Sequence, residues 1–173
     1  MGNVSESERP RRKRQLVYKT ITVPGNFEIA CRQFNGGQFF ECHESFEEIW
    51  QEEQGPVRDL YKGLIQIAAA FVHISRANFV GADRLSRTGL GYLAPYRAEG
   101  AMGFDVDAIM TAAEDAHARV LSLGRARMES FDISVRPLYG FRADVLPAEA
   151  RRWGAWGFDA EGRATPMGIA VVE

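Results

Sequence analysis

The sequence predicts an all-α protein: a small antiparallel bundle of four to five helices, followed by an irregular C-terminal extension. Three observations carry that prediction. Apolar residues recur at helical spacing through most of residues 26–122. Gly- and Pro-bearing breaks interrupt them, at Asn35, Gly36 and Gly37, at Gly55 and Pro56, and at Gly100 and Gly103. Alternating, strand-like patterns are confined to residues 131–135 and 169–172.

Each segment has its own reason. Residues 1–24 are expected to be a disordered or extended basic arm ending at Pro24, with the run Arg9, Arg11, Arg12, Lys13 and Arg14. Residues 26–34 make a short helix, with Asn26 as its N-cap and Phe27, Cys31 and Phe34 on one face. A second helix covers residues 38–54 and a third continues to Arg76, with Pro56 in its first turn. The break between them is so short that the two must be antiparallel neighbours. A fourth helix spans residues 80–97, weakened by Gly89 and Gly91. The fifth spans residues 105–122, capped by Asp105. The bundle domain is therefore residues 25–123. Residues 124–173 are expected to wrap over it irregularly, anchored by Trp153, Trp156 and Phe158.

Composition limits the function classes. Hydrophobic residues make up 46% of the 173 residues and charged residues 25%, which excludes a disordered chain, a collagen repeat and a disulfide scaffold. A net charge of −2 provides no global field for nucleic acid or an anionic membrane. Nucleic-acid contact is expected only through the 9–14 run. The apolar run at residues 63–72 is interrupted by Gln66 and falls short of the roughly 20 residues a bilayer span needs. Cys31 and Cys42 lie in helical segments with no signal peptide ahead of them, so two free thiols in a reducing, cytoplasmic setting are expected. A Cys-x-x-Cys pair is absent.

The chemistry-bearing residues lie on the second and third helices. At about 100° per residue, Phe39, His43, Phe46 and Trp50 share one stripe and Glu47 borders it. His43 and Glu47 are one turn apart and can meet. On the third helix, Gln66 and His73 share a face with Gly63, Ala69 and Ala70, small residues that let another helix approach. A carboxylate facing a core needs a partner. Three explanations stand side by side. His43, Glu47, Gln66 and His73 satisfy one another as a buried network; or His43, Glu47 and His73 bind a divalent zinc, iron or manganese ion; or the pair lines an unmetallated acid–base pocket. Residues 43–47 resemble a zinc-protease HExxH motif, but the second histidine is replaced by Glu47.

The stretch from Phe34 to Glu44, then Glu47 and Trp50, resembles the uncharacterised prokaryotic family "domain of unknown function 309", whose hallmark is HxxxExxW. Lys62 to Ala69, His73, Asn78, Gly81, Ala82 and Leu85 match it next, so that the likeness covers about residues 27–97. The resemblance implies an all-α bundle, no established activity, and a suggested metal at the hallmark motif.

Two functions are therefore expected. One is a divalent-metal protein, in its catalytic form a hydrolase, with His43, Glu47 and His73 as ligands. Gln66 and Trp50 would then orient the site, and Glu44 would be the candidate acid–base group. The other is a non-enzymatic scaffold or interaction module built on the same residues. The partner is a small molecule or a protein, and a homo-oligomer is compatible with either. His117 is expected to be a structurally satisfied histidine near Glu114 and Asp115, and Asn78 a capping residue.

Overall fold

The structure, a computed structural model, describes residues 16–172. Strand β1 (Leu16–Ile21) leads into α1 (Val23–Asn35), α2 (Phe39–Glu52), α3 (Arg58–Ser75), α4 (Phe79–Leu93) and α5 (Val106–Arg127); α6 (Leu146–Trp153) and β2 (Met167–Val172) follow. The described residues are all-α apart from one two-stranded antiparallel ribbon. In it Leu16 pairs with Val172 and Ile21 with Met167. Within the described residues no helix is long and apolar enough to cross a membrane.

The elements form for reasons that are local and readable. Pro24 sits in the first turn of α1, where its missing N–H costs nothing. Gly37, at φ 82°, turns the chain out of α1 into α2, a conformation that favours glycine. Asn78 accepts from Gly81 N and caps α4, and Asp105 accepts from Ala108 N and caps α5. Gly124, at φ 64° and ψ −177°, bends α5 near its end.

The core is a stack of aromatics. Phe34 stacks on Tyr139 with ring centroids 3.8 Å apart, and its edges meet Phe39 and Phe71. Tyr139 is buried, and its hydroxyl donates to Leu64 O at 3.0 Å, so the C-terminal segment completes the bundle core.

Several expectations are corrected. Asn26 is no cap: it lies inside α1, buried, and its Nδ2 donates to Ser45 O on α2. The arm expected through Pro24 is a strand over Leu16–Ile21 and helix from Val23; the basic run at residues 9–14 lies outside the described residues. Residues 131–135 form turns, because Asp132 captures the N–H and hydroxyl of Ser134 instead of leaving them to a ladder. The extension contains a helix, α6, closed by Gly154 in the left-handed region. Trp153 anchors it against Tyr96, with ring centroids 5.3 Å apart, whereas the Trp156 side chain is 52% exposed.

Candidate functional site

The α2–α3 hairpin fixes where the candidate residues go. On α2 the buried positions are Phe39, Cys42, Phe46 and Ile49. The apolar stripe is therefore centred between Cys42 and Phe46, with Ile49 at its edge, and not on His43 and Trp50. That rotation moves His43, Glu47 and Trp50 to the flank, where each is half-buried. His43 Nε2 lies 3.6 Å from Glu47 Oε2, with side chains 26% and 37% exposed. Phe40, half-exposed, covers the imidazole with ring centroids 5.7 Å apart. Glu44 faces solvent.

Trp50 is held from α3. The Arg58 guanidinium lies 4.0 Å and the Lys62 ammonium 4.3 Å from its ring centroid. That contact and the Phe39–Phe71 pair, 5.3 Å apart, set the register of the hairpin. Counting from them, His73 stands about six residues, roughly 9 Å, past the level of His43.

His73 belongs to a different interface. Its Nδ1 lies 2.9 Å from Asn78 Nδ2, and a Cβ on Gly81 of α4 would sit 2.5 Å from the ring. Burial, followed by Arg76 and Arg84, pushes the His73 pKa below its ordinary value, so the neutral ring is favoured. The small face of α3 packs the same way. A Cβ on Gly63 would meet Leu93 at 2.6 Å, and Gly89 abuts Ile67. Of the small residues on that face of α3, Gly63 admits α4.

The expected constellation therefore does not assemble as a unit. Among the described residues no group of three or more His, Cys, Asp or Glu is placed to hold a metal ion. Nor do His43, Glu47, Gln66 and His73 satisfy one another: of the four, only His43 and Glu47 are linked by a described ion pair or hydrogen bond. Among the described residues, His43 Nδ1 and Trp50 Nε1 on this flank and Gln66 Oε1 on α3 have no hydrogen-bond partner. The thiols offer no substitute ligand. Burial pushes Cys31 up to about 12 and Cys42 higher still, which leaves both protonated and inert.

Sequence reasoning missed one polar centre and the partner of another. Glu53, the residue after α2, is fully buried: its carboxylate accepts from Gly55 N and Trp156 N at 2.9 Å each. Burial raises its pKa, and those N–H donors oppose the rise. Its one sequence signal is its place just before a Gly-Pro turn. His117 is satisfied, as expected, but by Asp83 of α4 at 2.8 Å rather than by the acids of its own helix.

The comparisons with known proteins bear on the same stretch. The family described as "Domain of unknown function (DUF309)" matches residues 27–85. The uncharacterized protein YpuF of Bacillus subtilis (strain 168) is 33% identical over 111 residues, 63% of this chain. The match spans 55% of YpuF, about half of that relative. No solved structure matches with significance. The likeness of this chain to the domain of unknown function 309 family is thus shown over residues 27–85, the part that holds most of α1, all of α2 and α3, and the first turns of α4.

Proposed function

We propose that the protein is a non-enzymatic interaction module whose recognition face is the α2–α3 flank bearing His43, Glu47, Trp50 and Gln66. The observation that carries this reading is the set of unpartnered atoms there. An indole N–H, an imidazole nitrogen and an amide oxygen all lie on half-buried side chains with no hydrogen bond. Leaving a buried polar atom unpaired costs about 1–3 kcal/mol. A docked peptide chain offers both carbonyl acceptors and N–H donors, and small rotations of half-buried side chains suffice to meet them. The other expectation, a divalent-metal hydrolase with ligands His43, Glu47 and His73 and with Glu44 as acid–base group, requires His73 to leave Asn78 and Gly81 and to cross to α2.

The test compares tag-free wild type with His43→Ala and Gln66→Ala. Melting temperatures that stay close to wild type, together with a peptide or protein partner bound by wild type and lost by both variants, support the module. About one equivalent of zinc, iron or manganese in wild type, absent from His43→Ala, would overturn it in favour of the metal reading. A large loss of stability in either variant would assign these residues a structural role instead.

A further inference from the structure

The largest described cavity lies away from the α2–α3 flank. It encloses about 490 Å³ between the α4–α5 loop and residues 140–149, a volume within the range of small-molecule pockets. Its two walls are stitched together. Phe104 and Phe141 form an antiparallel bridge, and Arg142 N donates to Gly103 O at 2.9 Å. Phe104 and Phe141 supply an aromatic floor, with ring centroids 5.9 Å apart. The opening above Gly140 is unobstructed: a Cβ there would meet nothing within 4 Å.

The charges around the cavity are unequal. Glu99, Asp105, Asp107 and Glu149 line it against two cations, Arg97 and Arg142. Arg97 is fully engaged, by Asp107 at 2.8 Å, Glu114 at 2.7 Å and the Thr111 hydroxyl at 3.3 Å. Arg142 pairs with Asp144 at 2.7 Å, and Glu99 pairs with Arg152. What remains are the carboxylates of Asp105 and Glu149. The first caps α5, and the second accepts one hydrogen bond, from Trp153 Nε1 at 3.2 Å. Among the described residues each has one oxygen without a hydrogen-bond partner, on the rim of an aromatic-floored cavity.

We propose that this cavity binds a small organic cation, an ammonium or guanidinium group carried on an apolar or aromatic body. The body lies on Phe104 and Phe141. The cation meets Glu149, with Asp105 adding to the field. An anion of the same shape meets surplus negative charge and is rejected. The proposal is independent of the α2–α3 reading and does not use its residues.

The experiment titrates the full chain with phenethylamine and, in parallel, with 3-phenylpropionate, its anionic counterpart. The backbone amide resonances of Gly100, Gly103 and Arg142 are followed. The expected result is a saturable shift with the amine and binding of the carboxylate weaker by about tenfold or more, the scale of one charged hydrogen bond. Glu149→Gln should weaken the amine by about the same factor. Gly140→Val should weaken it while leaving the melting temperature close to wild type, since a Cβ at residue 140 meets nothing within 4 Å. Equal binding of both compounds, no saturation at millimolar amine, or full binding by Glu149→Gln would each overturn the proposal.

Discussion

His117 and Asp83 meet across α4 and α5 at 2.8 Å, and Arg87 clamps the same carboxylate through two bonds of 3.1 Å. His43 and Glu47 meet along α2 at 3.6 Å, with the second imidazole nitrogen left unpartnered. The first pair joins two helices and its carboxylate is saturated. The second joins one helix to itself and is unsaturated. The pair most conspicuous in the sequence is thus the less stabilising of the two. A tight, closed pair is what a fold uses to hold helices together. A loose pair with unspent polar atoms does little for the fold and is free for another task.

Glu53 extends the comparison into a series. Glu53, Asp83 and Glu47 have side chains that are fully buried, 22% exposed and 37% exposed in turn. Loss of stability on truncation should follow that order. Glu53→Ala leaves Gly55 N and Trp156 N without their acceptor and should cost about 3 kcal/mol in urea denaturation. Asp83→Ala frees both His117 and Arg87 and should cost about 1.5 kcal/mol. A double-mutant cycle sharpens the contrast: coupling should be about 1 kcal/mol for Asp83–His117 and about 0.3 kcal/mol for His43–Glu47. His43→Ala alone should stay within about 0.5 kcal/mol of wild type. A larger loss there than for Asp83→Ala would reverse the comparison.

Acid distinguishes the same groups. The His117 hydrogen bond and then Arg87 hold the Asp83 carboxyl below its ordinary value of 3.8, against an opposing desolvation. A depressed carboxylate contributes its stability in full above the unfolded value and loses it as pH falls through the folded one. Wild type should therefore lose stability on acidification below about pH 4, and Asp83→Asn should flatten that limb. Glu53 has the opposite sign: its raised value favours the protonated form in the fold, so its contribution falls as pH rises through that value.

The helices were legible because their signals are local. Periodicity, the glycine at position 37 and the caps Asn78 and Asp105 act within a few residues. The expected α2 stripe is off by about a seventh of a turn, because it includes His43 and Trp50 in place of Cys42 and Ile49. Phe39 and Phe46 are buried as expected. His73 was placed opposite His43 because a wheel fixes the angle of a side chain and says nothing about axial level. Register came from Phe39 meeting Phe71, a contact between distant residues that no local pattern encodes. Tyr139 and Glu53 were invisible for the same reason, since their partners lie 75 and 103 residues away.

The β1–β2 ribbon couples residues 16–21 to residues 167–172, and this affects how the protein is made. Helices α1 to α5 meet their neighbours as soon as they are synthesised, and their contacts close short loops. β1 is made before α1 to α6 and must wait for β2, which follows them. At about 5–20 residues per second, the wait is on the order of ten seconds. The bundle therefore forms first on the ribosome, with β1 presenting a bare strand edge throughout that interval. The ribbon closes only once β2 has been made, and that closure covers one edge of β1.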